Sequence, residues 1–306
     1  MGRTIACANQ KGGVGKTTTV VNLATYLALG GEHVLVIDLD PQGNATSGFG
    51  IDKTLVEHSV YDTFTGSLSL PDLVRPSGID HLDIVPSSIG LAGAEVELAP
   101  LPQRERRLAR ELSTVRDAYE HVLIDCPPSL GLLTVNALTA ADGVLVPIQC
   151  EYYALEGVGQ LLGTIDLVRD HLNPRLGIDG VVLTMFDART NLSSEVAAEV
   201  RRHLEHAVFE TIIPRSVRLS EAPSFGLPIA LHRSDSKGAQ AYAQLAAEYS
   251  ARLQRRRAGG DFGPSAGEEL EPSIATHRDP INLGAANARL SVDVALGSRQ
   301  APAAIA

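Results

Sequence analysis

Lys11-Gly12-Gly13-Val14-Gly15-Lys16-Thr17-Thr18 puts two ammonium groups, three glycines and two hydroxyls within eight residues. Such a run suits a phosphate. Glycines let the backbone wrap close enough for its amides to face an anion, and a helix N-terminus adds a partial positive charge. Lys16 can reach terminal phosphates and the Thr17 hydroxyl can take a place on a divalent cation. Two further carboxylate sites are spaced for the same chemistry. Asp38 and Asp40 stand two residues apart in Asp38-Leu39-Asp40-Pro41-Gln42-Gly43-Asn44, and Asp125 closes the apolar run Val122-Leu123-Ile124. Asp38 and Asp125 can order water around a cation, and Asp40 can orient or deprotonate an attacking water. The bland alternative for the loop is a glycine-rich turn that binds nothing, and each acid taken alone reads as a polar strand end.

The elements that must hold these groups are legible around them. Residues 4–8 read as a buried strand, and 18–29 carry apolar residues at helical spacing up to Gly30-Gly31. Residues 33–38 form the second strand of a right-handed β-α-β unit. Strands at 82–86, 119–125, 143–148, 178–184 and 208–213 alternate with helices at 130–140, 156–171 and 194–206. An amphipathic helix is expected over 104–119, with a solvated arginine face and an Arg107–Glu111 pair. Residues 45–80 read as helical turns and loops. This alternation predicts a doubly wound, mostly parallel α/β sheet of the P-loop NTPase type, with ligands at the carboxyl ends of its strands.

The ordinary pattern G-x-x-x-x-G-K-[ST] asks for glycine at position 10, where Gln10 stands, and an extra lysine, Lys11, lies inside the loop. Only four lysines occur in the chain against 22 arginines, and two of the four fall here. The loop resembles the deviant Walker A motif of the ParA/MinD superfamily of dimerising ATPases. Asp38 to Asn44 resembles that family's D-x-D-P-Q-G-N signature, and Asp125-Cys126-Pro127-Pro128 its D-x-P-P pattern. The resemblance spans about residues 1–257, closer to the ParA/Soj partition branch than to the membrane branch. It implies ATP and Mg²⁺ bound at 11–18, with Lys11 reaching across a homodimer interface to the partner's nucleotide. It also implies that the Pro214 segment packs on adenine, and that Arg189 and Arg218 contact DNA. Ser216 stands where the family commonly has Asn.

Net charge is −10, which by itself argues against nucleic acid, but the charge is uneven. Residues 1–164 carry −9, residues 165–257 carry +2, and residues 258–306 carry −3. The basic end holds Arg189, Arg215 and Arg218 in expected loops, Arg201 and Arg202 on a helix, and Arg252 with Arg255 to Arg257 closing the last helix. No sequence-reading DNA motif accompanies them, so duplex binding should be non-specific and salt-sensitive. The alternative is the ordinary charged surface of an arginine-rich chain, nearly balanced by acids. Three cysteines, Cys7, Cys126 and Cys150, lack metal-ligand spacing and read as buried thiols of a reducing compartment. No apolar run is long enough to span a membrane, and the first strand follows too closely on Met1 to leave room for a signal peptide.

These readings converge on one ATPase domain over 1–257 and a flexible tail over 258–306, rich in Ala, Gly, Pro and Ser. The resemblance implies a cytoplasmic, nucleoid-associated partition ATPase. ATP would form a sandwich dimer on non-specific double-stranded DNA, and hydrolysis stimulated by a ParB-type centromere-binding partner would release it. No membrane partner is expected, since the chain ends without a basic, aromatic amphipathic segment. The alternatives are a MinD-like membrane regulator and an ATP-gated scaffold for another cargo.

Overall fold

The computed structural model describes residues 2–151, 156–204 and 206–258. Its strands are β1 (Arg3–Cys7), β2 (Val34–Asp38), β3 (Arg75–Ile79), β4 (Leu82–Val85), β5 (His121–Asp125), β6 (Gly143–Gln149), β7 (Gly177–Phe186) and β8 (Val208–Pro214). They form one sheet in the order β3-β4-β2-β5-β1-β6-β7-β8. Every pairing is parallel except that of β3 with β4. Parallel strands are covered on both faces, so they read as near-continuous aliphatic runs. In β2 and β5 every residue is buried.

Side chains alternate between two cores. Ile5, Cys7, Val34 and Val36 pack in the layer of the first helix, Lys16–Leu29, and the last, Lys237–Arg257. Ala6, Ala8, Leu35 and Ile37 face the layer holding the helices Leu132–Ala140 and Glu156–His171. This is the doubly wound arrangement, and it brings the carboxyl ends of β1, β2, β5, β7 and β8 to one end of the sheet. The first helix is pinned there by two polar links. The Thr19 and Tyr242 hydroxyls lie 3.1 Å apart, and Ile229 N donates to Asn22 Oδ1 at 2.8 Å.

Three expectations need correction. Residues 104–119 are not one helix but a 3₁₀ turn (Arg104–Arg106), a short helix (Arg107–Leu112) and a second 3₁₀ turn (Arg116–Ala118). The Ser113 and Thr114 hydroxyls donate back to the Arg110 and Glu111 carbonyls, competing with helical bonds. Arg107 turns to the Phe64 carbonyl and Arg116 to Asp142, while Glu111 accepts from Leu70 N, so the Arg107–Glu111 pair does not form. Residues 75–79, expected as loop, are the antiparallel edge strand β3; pairing with β4 overrides Pro76 and Gly78, which an edge strand tolerates. Arg218 stands on a short helix, Val217–Glu221, not in a loop. The tail expected beyond Arg257 lies, apart from Ala258, outside the described residues.

Candidate phosphate and cation site

β1 ends in a loop that is braced before it reaches the helix. Asn9 donates to the Pro147 carbonyl at 2.8 Å and accepts from Lys11 N at 3.0 Å. Thr184, near the end of β7, donates to the Val14 carbonyl at 2.8 Å, and Val14 itself is buried. Gly13 and Gly15 adopt φ of 73° and 91°, the left-handed region in which a side chain is strained. Gly15 precedes the first helix without a side-chain cap, and that helix has no acid in its first turn. Its leading amides are therefore open to an external anion. Lys16 is buried to 6 % exposure, and its Nζ donates to the Lys11 carbonyl at 3.3 Å.

Beside this cradle the three aspartates meet. Asp38 and Asp125 are register partners at the ends of β2 and β5. Asp38 accepts from Asp40 N at 3.1 Å and from Thr46 through N at 2.8 Å and Oγ1 at 2.7 Å. Asp40 accepts from Gln42 N at 2.9 Å, and its own carbonyl accepts from Ser87 Oγ at 2.7 Å. Asp125 differs: it is fully buried and neither carboxylate oxygen has a hydrogen-bond partner. Burial, and next the charge of Asp38, push its carboxyl well above the ordinary carboxylate range, while the nearby Thr17 hydroxyl and Lys16 pull it back. Burial likewise raises Asp38, against the bonds from Thr46. Two adjoining buried carboxylates carry negative charge that Lys16 offsets only in part. A hydrated Mg²⁺ held also by Thr17 and phosphate oxygens fits that deficit. Among the described residues no cluster of three or more His, Cys, Asp or Glu could hold a metal ion.

Two clefts flank Thr18. One, of about 310 Å³, is lined by Gly15, Thr18, Met185, Pro214, Arg215 and Ser216. The other, of about 450 Å³, is lined by Thr17, Asn44, Ser47 and Lys53. Pro214 and Ser216 thus line the same cleft as Gly15 and Thr18 of the phosphate loop. Met185 enters it with φ of 52°, a strained backbone for a non-glycine residue. Sequence reasoning passed over Thr184 and Ser87, whose partners Val14 and Asp40 lie far along the chain, and Thr46, whose bonds to Asp38 depend on how the loop after β2 folds back.

A family model described as an AAA domain matches residues 2–178. The sporulation initiation inhibitor protein Soj of Bacillus subtilis is 56 % identical over 251 residues, 82 % of this chain and 99 % of that protein. The chromosome partitioning protein ParA of Myxococcus xanthus is 51 % identical over 248 residues, 81 % of this chain and 88 % of that one. The chain belongs to the Soj/ParA family. The solved structure of cobyrinic acid a,c-diamide synthase from Mycobacterium smegmatis, with bound ADP and magnesium, is also similar. It is 39 % identical with a TM-score of 0.73, covering 87 % of this chain and 99 % of that one.

Around this Soj/ParA site the remaining sequence expectations sort cleanly. The three cysteines are free and buried, and burial raises each thiol above its ordinary range. Phe186 and Pro214 are register partners on β7 and β8, so the chain emerging after them carries Arg189 and Arg218 from the same end of the sheet. Both side chains are exposed. Arg252 and Arg256 belong to the interior scaffold instead. Arg252 stacks 4.1 Å from the Phe209 ring centroid and donates to the Ala207 and Val208 carbonyls, while Arg256 pairs with buried Asp179. Among the described residues no helix is long and apolar enough to cross a membrane.

Proposed function

We propose that this chain is an ATP-driven DNA-partition ATPase, and the observation that carries the reading is Lys11. It is a second lysine in a phosphate loop whose own lysine, Lys16, is already in place. Lys16 and the amides of 12–18 hold the phosphates, and the 310 Å³ cleft beside Pro214 takes the adenine. Thr17, with Asp38 and Asp125 through water, would hold Mg²⁺, which would supply charge neutralisation to the terminal phosphates. Asp40 orients the attacking water and takes its proton as the γ-phosphoryl group passes to that water, giving ADP and phosphate. Lys11 is half-buried at the loop entrance and reaches the nucleotide of a second subunit, so each site is complete only in a two-fold dimer.

Dimerisation sets two Arg189/Arg218 surfaces side by side, so weak phosphate contacts add on one duplex. A ParB-type partner stimulates hydrolysis, which dissolves the dimer and frees the DNA; the ATP-bound form is therefore nucleoid-associated. Duplex binding with ATP, ADP and no nucleotide across a salt series tests this. The expected result is sequence-independent binding with ATP alone, weakening steeply with salt. Confirmed dimers that ignore DNA would overturn the DNA assignment and leave the ATP switch intact.

The similarity to an amide synthase favours a second reading, ATP-dependent amidation. Generating ammonia from glutamine by covalent catalysis needs an accessible thiolate. All three cysteines here are 2 % exposed or less. Phosphate release that rises with DNA, and not with glutamine and a carboxylate acceptor, separates the two.

A further inference from the structure

Each arginine following β7 and β8 on the proposed DNA face is held by a carboxylate. Asp187 accepts three bonds from Arg189, from N at 3.1 Å, Nε at 2.8 Å and Nη2 at 2.6 Å. Arg215 donates to Glu151 at 2.9 Å, and Arg218 to Glu221 at 2.7 Å. Glu151 follows β6, so acids supplied at the ends of three consecutive elements meet cations from two. The Arg189–Asp187 pair is asymmetric. The arginine side chain is 85 % exposed and stands out over an acid that is 18 % exposed. The Asp187 backbone is fixed as well, since its carbonyl accepts from the Thr190 amide and hydroxyl, while the Arg189 amide donates to its carboxylate. A carboxylate held in this way presents the same two-oxygen fork to guanidinium that a phosphate would.

Resting on the DNA reading above, we propose that Asp187, with Glu221 and Glu151, is a built-in competitor of DNA phosphate that holds the affinity of a single subunit low. The consequence is a ceiling on duplex affinity in either nucleotide state. Each duplex contact must replace or share an internal ion pair, and an exposed pair of this kind weakens the competing contact by roughly 1.5- to 5-fold. A monomer meets that penalty once and a dimer bound through both faces meets it twice, so relieving it multiplies across the two subunits. The acids therefore lower the duplex affinity of both forms, and in the dimer by about the square of the single-subunit factor.

Asp187→Asn tests this, because the amide oxygen can still accept from Arg189 N and preserve the turn while the charge is gone. Fluorescence anisotropy with a random duplex would compare wild type, Asp187→Asn, Glu221→Gln and the double variant Arg189→Glu/Arg218→Glu, each with ATP and with ADP. We expect Asp187→Asn to bind about 3-fold tighter as monomer and about 10-fold tighter as dimer at ~0.1 M salt, the gain shrinking as screening increases. Glu221→Gln should move the same way by less. Unchanged or weakened binding by both neutral variants, with wild type binding normally, would overturn the proposal and make these acids positioning groups for the arginines. Wild type that does not bind, or an arginine double variant that binds as wild type does, would instead remove the DNA reading itself.

Discussion

Lys16 Nζ donates to the carbonyl oxygen of Lys11 at 3.3 Å, so the side chain of one loop lysine rests on the backbone of the other. The two lysines thus start from different positions. Lys16 is buried with its Nζ against the loop backbone, while Lys11 is half-buried. Lys16→Ala should weaken ATP binding about 10- to 100-fold, the scale of a lost hydrogen bond to a charged group. Lys11→Ala should leave ATP binding near wild type and abolish the ATP-dependent dimer. Nucleotide titration and light scattering read the two effects separately.

Asp40→Ala should retain ATP and accumulate the dimer, with steady-state phosphate release falling by ~10²–10⁴, the range for loss of a positioned general base. Gel filtration in ATP and a phosphate-release assay together check it. Normal turnover would remove Asp40 from the hydrolytic step.

Asp125 carries a stability consequence with a definite sign. Its folded-state carboxyl binds a proton more tightly than the unfolded chain's, so without a cation this group costs stability as pH rises through the folded-state value. Asp125→Asn should therefore stabilise the nucleotide-free protein by about 1–3 kcal/mol of relieved burial, seen as a higher melting temperature, with the difference from wild type growing toward alkaline pH. The same variant should lose the extra stabilisation that Mg²⁺·ATP gives over ATP alone. Thermal melts across pH, with and without magnesium, measure both.

Much of the site was open to reading because its chemistry is local. Lys11 to Thr18, Asp38 to Asn44 and Asp125 are each a short run at the end of a strand, and strand, turn and helix are specified by neighbouring residues. What escaped was set by partners far along the chain. Thr184 steadies the Val14 carbonyl across 170 residues, and Glu151 meets Arg215 across 64. The arginines of 104–116 look like a helix face until the Phe64 carbonyl and Asp142 take two of them. Arg252 reads as a surface cation until Phe209 packs beneath it.

Gly180 shows how tightly that region is closed. A Cβ there would fall 2.0 Å from the Phe209 ring, with β7 on one side and the Arg252 stack on the other. Gly180→Ala should destabilise the fold by about 1–3 kcal/mol through overpacking. Chemical denaturation should show a lower midpoint at unchanged slope, since the surface exposed on unfolding is the same.

Asp179 is buried on β7 and holds Arg3 from the first strand and Arg256 from the last helix at once. One carboxylate thereby gathers the polypeptide's entry into the domain and its exit within two side-chain lengths. The strand ends that build the phosphate cradle lie at the other end of the sheet. A circularly permuted chain that joins the residues after Arg257 to Gly2 by a short linker, and opens at an exposed loop elsewhere, would keep this clasp. The seam between old termini could then carry an optical reporter without touching the nucleotide or the face proposed for DNA.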